Sequence, residues 1–141
     1  MIYFDNERPY LTCSYFVQQL FGQSSGNYYY GDCVKFEGDA ADVIQPQEDV
    51  HYGQSVVLNT KTRQLFVKIC NAGGEAKKAN IDLSRFGIKK LATKTVISGD
   101  ANDENNYDAQ PIAPVKEQIK AQKKFSLDIA PYSFVMLQYS L

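Results

Sequence analysis

What this chain of 141 residues lacks narrows its function before any motif is read. It has no excess of charge: fifteen basic against sixteen acidic residues leave a formal net charge of −1, so no global field gathers nucleic acid or anionic lipid. No apolar run approaches the ~20 residues that a membrane helix needs. The start, "MIYFDNERPY", has neither the basic nor the apolar region of a signal peptide. It also has no helix-start or turn signal ahead of its first apolar residues, as expected of a chain cut in mid-element. An address label would then lie upstream, and the compartment is not legible. Cysteine is scarce: Cys13, Cys33 and Cys70 are too few and too widely spaced for a disulfide framework or a C-x-x-C zinc site. Buried free thiols are the preferred reading, and the spacing leaves a Cys13–Cys33 or Cys33–Cys70 bridge open.

Catalytic and cofactor signatures are equally thin. His51 is the only histidine, so it has no histidine partner for a metal, and it reads as an exposed loop residue. No G-x-S-x-G elbow occurs. The glycine pair in Asn71-Ala72-Gly73-Gly74-Glu75 opens no helix and reads as a hairpin turn, not a phosphate cradle. Nothing calls for a cofactor or a metal. Lys116, Lys120, Lys123 and Lys124 are the densest basic group, and a solvated strand face accounts for them better than a phosphate-binding patch.

What is present is an ordinary globular composition, 44% hydrophobic and 22% charged, at the length of one domain. A fold of this size removes roughly 68–70% of its unfolded surface from water, enough for one core. In "TCSYFVQQLFG" the apolar residues Cys13, Phe16, Val17, Leu20 and Phe21 share one helical face, with Gln18 and Gln19 opposite. Thr12 is suited to the N-cap and Gly22 to the stop.

Beyond Gly22 the period changes to two. "QSVVL" and "QLFVKICN" flank the polar turn "NTKTR" as a hairpin, with Leu65, Val67 and Ile69 on one side. "AKKANIDL" puts Ala79, Ile81 and Leu83 inward. "KLATKTVIS" follows a turn at Phe86-Gly87, "KFSLDI" alternates through Phe125, Leu127 and Ile129, and "SFVMLQYSL" closes the chain after Pro131. "FEGDAADVIQPQED" reads as an irregular loop. The expected fold is mainly β: an antiparallel β-sandwich of jelly-roll type preceded by one short α-helix.

The stretch "SGDANDENNYDAQPIAPV", residues 98–115, gathers Asp100, Asp103, Glu104 and Asp108. As a calcium loop it fails, since counting from Asp100 puts Asn105 where glycine is needed and Pro111 where a bidentate acid is needed. As a catalytic centre it fails too. A glycosidase holds two acids roughly 5–9.5 Å apart in different environments, and four acids on one polar loop have no reason to differ. It reads as a connection whose Asp and Asn side chains serve its own backbone.

Several pieces, in order, carry a resemblance: "SYFVQQLFG", "LFVKICN", "ANIDL", "VISGDANDENNYDAQPIAPV" and "FSLDIAPYSFVMLQYSL". Together they resemble the C-terminal part of the α-L-arabinofuranosidases of glycoside hydrolase family 51. The resemblance implies a jelly-roll sandwich at residues 23–141, appended to a (β/α)8 catalytic barrel. It implies that residues 1–22 are a remnant of that barrel's last strand and helix. Cys13 departs from the proline the family commonly has after the threonine. Both catalytic glutamates of the family would lie upstream, so no residue here is expected to be catalytic. The Asn6-Glu7 pair mimics the family's acid/base dyad but follows the wrong strand.

The implied function is structural support of a barrel in an enzyme that releases terminal α-L-arabinofuranosyl groups, the helix burying Phe16, Leu20 and Phe21 in part against the sandwich. The alternative is a carbohydrate-binding module using surface tyrosines: Tyr28, Tyr30 and Tyr52, with Tyr107 if the fold brings it near. Strand packing is the preferred reading of those rings. Expected partners are the barrel itself and a second copy of the chain, covering helix Thr12 to Phe21 and an Ile2–Phe4 segment left without strand neighbours. Two carboxyl groups facing each other across a sugar-sized cleft would overturn the non-catalytic reading.

Overall fold

The computed structural model describes residues 2–4, 8–38 and 51–141. Its chain order is β1 (Ile2–Phe4), β2 (Pro9–Leu11), α1 (Cys13–Gln23), β3 (Tyr28–Tyr29), β4 (Val34–Phe36), β5 (Tyr52–Asn59), β6 (Gln64–Asn71), β7 (Lys77–Asp82), β8 (Leu91–Ser98), β9 (Val115–Lys120), β10 (Lys124–Ile129) and β11 (Ser133–Ser140). A six-stranded sheet in the order β3-β5-β6-β11-β8-β9 stacks on a three-stranded sheet, β10-β7-β4, and all the pairings are antiparallel. The antiparallel β-sandwich is as the sequence predicts. Among the described residues no helix is long and apolar enough to cross a membrane.

The hairpin at residues 59–64 follows from its turn chemistry. The Asn59 carboxamide oxygen accepts from the amides of Lys61 and Thr62, each at 3.1 Å, and Arg63 takes the left-handed φ of 55° that closes the loop. The register β5–β6 then places Val56 opposite Val67 and Leu58 opposite Leu65. Those residues face inward with Ile69, Val135, Leu137 and Tyr139, and meet Val34, Phe36, Ala79, Ile81 and Ile129 of the smaller sheet and Leu83 just beyond β7.

The segment after β6 is not the hairpin turn the sequence suggests. It carries the chain from the larger sheet to the smaller one, because β7 pairs with β10 and β4. Asn71 makes that corner: fully buried, it donates its amide to the carbonyls of Glu75, Ile129 and Ala130 and accepts from the Gly73 amide. The return from β10 to β11 turns at Tyr132, with φ 50°. Strands that switch sheets in this way give the jelly-roll character.

Burial separates the strands. β7 alternates, with Ala79 and Ile81 buried and Lys78, Asn80 and Asp82 exposed, since the smaller sheet has one covered face. In β6 every residue from Leu65 to Ile69 is buried, because the middle of the larger sheet is covered on both. Its second cover is α1. Leu20, with Cys13, Phe16 and Val17 beside it, packs on Phe66, Ile97, Phe134 and Met136.

Several expectations need correction. The helix does not stop at Gly22 but runs to Gln23, because Ser24 caps it without a left-handed residue. Ile2–Phe4 is not without a strand neighbour; it pairs with Pro9–Leu11. The three thiols are free, and Cys70 is exposed where Cys33 is buried, since the part of the outer face that carries Cys70 is not covered. The Asn6-Glu7 pair and most of the 36–49 loop lie outside the described residues, and the described start of that loop, Phe36, ends strand β4.

Candidate functional site

The most constructed feature of the molecule is the seat of α1. Thr12 caps its start, its hydroxyl accepting from the Tyr15 amide at 3.2 Å. At the other end the Ser24 hydroxyl donates to the Leu20 carbonyl and the Ser24 amide to that of Phe21. Beneath this end lies Lys68, an outward position in the middle of β6. Its ammonium donates to the Ser24 carbonyl at 2.7 Å and stands 4.7 Å from the centroid of the Phe21 ring. A helix C-terminus carries partial negative charge, so a cation there is favoured, and the ring adds a cation–π attraction. Lys68 is 5% exposed, and that burial pushes its pKa down.

The acid-rich stretch 98–115 belongs to the same seat. Asp103 accepts from the Asp100 amide and Asn106 from the amides of Asp108 and Ala109, so the polar side chains serve the loop's own backbone as predicted. Asn105, 8% exposed, reaches further: its amide donates to the carbonyls of Leu11 and Ile112, and its oxygen accepts from the Ile112 amide. Ile112 itself packs in the cluster under α1. The loop thus ties the entrance of the helix to the sheet. No group of three or more metal-ligating side chains assembles among the described residues.

The candidate tyrosines do not assemble. Tyr28 pairs with Leu58, six positions along β5 from Tyr52, about 20 Å at the rise of a strand. Tyr28 is 58% exposed, whereas Tyr30 packs edge-on against Phe86 and Tyr52 against Phe36. Tyr107 meets Tyr10 at 4.6 Å instead. His51 is exposed in a loop, as predicted.

Two carboxylates do line one trough. On the outer face of the smaller sheet a cavity of about 390 Å³ is bordered by Asp32, Lys35, Asn80, Asp82, Lys124 and Ser126. Asp32 is paired with Arg85, and that hydrogen bond holds its carboxyl below the usual range. Asp82 is lowered chiefly by hydrogen bonding to Ser84 and also faces Lys124 at 3.5 Å. Both therefore stay ionised near neutral pH, and neither is suited to the protonated role that glycoside cleavage requires.

The sequence matches the model of the α-L-arabinofuranosidase C-terminal domain over residues 1–133. The chain belongs to that family. Its fold is similar to those of solved α-L-arabinofuranosidases. These include the arabinose-bound MgGH51 enzyme (TM-score 0.81, 22% identity, 99% of this chain and 21% of that one) and the arabinose complex from Thermotoga maritima (0.75, 18%, 99% and 31%). The thermostable GH51 enzyme from Thermotoga petrophila RKU-1 is a further match (0.71, 17%, 97% and 31%). At these identities the likeness is one of fold, and this chain spans between a fifth and a third of those relatives' length. Comparison with curated proteins finds no match.

For this arabinofuranosidase C-terminal domain, the helix seat has a titration signature. The folded pKa of Lys68 lies below its ordinary 10.5. Between those two values the unfolded chain holds more protons on this side chain than the folded one does, so stability rises with pH through that window. In Lys68→Met the contribution disappears. Urea unfolding from neutral pH to 10.5 is expected to show wild-type stability increasing relative to the variant; a flat or falling difference contradicts the burial of this charge.

Proposed function

We propose that this domain is a non-catalytic brace: the C-terminal sandwich of an α-L-arabinofuranosidase that supports the catalytic barrel of the same polypeptide. On this reading residues 1–22 are the barrel's last strand and helix, and residues 23–141 hold that helix in place. The observation that carries it is the double anchoring of α1. Leu20 and its neighbours pack on the sheet, Lys68 takes one end and Asn105 secures the other. The parent enzyme would hydrolyse terminal α-L-arabinofuranosyl groups by a retaining mechanism with two glutamates, both carried by the barrel.

The carbohydrate-binding alternative on Tyr28, Tyr30 and Tyr52 has less behind it, since two of those rings are engaged in packing.

We also propose that the part of α1 left uncovered by the sandwich, together with β1, is an interaction surface. Phe21 and Ile2 each remain 46% exposed, and in the isolated chain a second copy would cover them. Sedimentation at rising concentration is expected to show a reversible dimer, weakened by Phe21→Ser; a monomer at every concentration removes this part of the reading.

The purified chain is expected to leave an aryl α-L-arabinofuranoside unhydrolysed. Turnover above the buffer rate that is lost in Asp32→Asn or Asp82→Asn would assign the chemistry to the trough of the smaller sheet and end the bracing account.

A further inference from the structure

The loops at one end of the sandwich enclose a cleft of about 250 Å³, lined by His51, Tyr52, Asn71, Gly73, Gly74, Glu75 and Lys77. At a water's share of about 30 Å³ this is the space of roughly eight waters, the scale of one sugar ring. Its groups differ from those of the larger trough in one decisive respect. There both carboxylates are spent, Asp32 on Arg85 and Asp82 on Lys124, while the Asn80 oxygen accepts from the Ser126 hydroxyl. Here neither Glu75 nor Lys77 has an ion-pair partner among the described residues. Within those residues no hydrogen bond takes up the amide N–H of Gly74 or Glu75, or the imidazole of His51.

The framework around these groups is rigid. Asn71 spends its side chain on the carbonyls of Glu75, Ile129 and Ala130 and on the Gly73 amide. The Gly73 carbonyl accepts from the Tyr132 amide, and the Ala72 amide donates to the His51 carbonyl, so three segments are bound together. Tyr132 adopts a left-handed φ of 50°, costly for a bulky residue, and its hydroxyl lies against Gly74. A methyl group on Gly74 would come within 3.0 Å of that oxygen, so the glycine is what keeps this wall thin. Lys77 stands 5.1 Å over the Tyr52 ring, whose packing on Phe36 fixes it in turn.

We infer that this cleft is a binding subsite for a single uncharged sugar ring. The donors are the Lys77 ammonium and the backbone amides; the acceptor is the Glu75 carboxylate. One carboxylate against one ammonium leaves no net preference for an ion, and closely spaced donors and acceptors match vicinal hydroxyls, each of which gives one hydrogen bond and receives others. The choice of a sugar rests on the family to which the chain belongs and not on the bracing role. The subsite lies in the loop cluster that joins the sheets, apart from the seat of α1.

Titration of ¹⁵N-labelled full chain with methyl α-L-arabinofuranoside and with an arabino-oligosaccharide tests it. Saturable shifts are expected at the amides of His51, Gly73, Gly74 and Glu75. Glu75→Ala and Lys77→Ala should each weaken binding about tenfold while the remaining spectrum is unchanged, and Tyr28→Ala should leave it as it was. Galacturonate, whose carboxylate would gain Lys77 but meet Glu75, should bind no better than the neutral sugars. The assignment is overturned if no sugar saturates, if the shifts map to another surface, if both variants bind as wild type does, or if the acidic sugar binds best. Such a failure would not touch the bracing account, which stands on α1.

Discussion

A lysine ammonium buried against the last carbonyl of a helix is the constraint on which the rest of this structure turns. Lys68 occupies an outward position on a central strand, where solvent would ordinarily take it. Covering that face with α1 removes the ammonium from water, a cost offset in part by the Ser24 carbonyl, the helix terminus and the Phe21 ring. The geometry couples the two parts. Without the helix the lysine loses its partner, and without the lysine the helix loses the contact that fixes its C-terminal end. Apolar packing supplies most of the attraction, since a Leu20 cut to alanine would remove about 2–5 kcal/mol. The lysine adds register, because it can reach only one carbonyl well.

The sheets follow from that arrangement. A sheet covered on both faces needs strands buried on both sides, and β6 from Leu65 to Ile69 and β11 from Ser133 to Leu137 are so, Lys68 being the one charge among them; a sheet covered on one needs alternation, which β7 and β10 show. The smaller sheet turns its polar face outward, where Asp32, Asp82, Arg85 and Lys124 satisfy one another. That mutual pairing leaves a trough with carboxylates but without an acid. The loop end is different, since its corner residue Asn71 spends itself on the backbone and leaves Glu75 and Lys77 unspent.

Much of this was legible in the residues. The period of Cys13, Phe16, Val17 and Leu20 gave the helix and its buried face. Alternation gave the strands, and the Asp and Asn content of residues 98–115 gave a connection whose side chains serve its own backbone. The resemblance named the family that the match over residues 1–133 establishes. The misses share a cause. Alternation shows which face of a strand is wet but not which sheet the strand joins, so residues 71–75 read as a hairpin. The packing of α1 on the sandwich was foreseen, but the Lys68 contact beneath its end was missed although a signal existed: a lone lysine inside "LFVKI", a run otherwise apolar enough for burial on both faces. Asn105 was seen only as a failed calcium position, because its partners, Leu11 and Ile112, include one 94 residues away. The partly exposed Phe21 shows how a helical stripe can be wider than the surface that covers it.

The central claim is that helix and sandwich form one cooperative unit, with α1 held as firmly as the sheet beneath it. Native-state hydrogen exchange across the described residues measures this directly. The account predicts that amides in the second half of α1 open with free energies within about 1 kcal/mol of those in β6 and β11. Exchange of α1 at a far lower free energy, while the sheets remain protected, would show a helix that merely rests on the sandwich, and would contradict the claim.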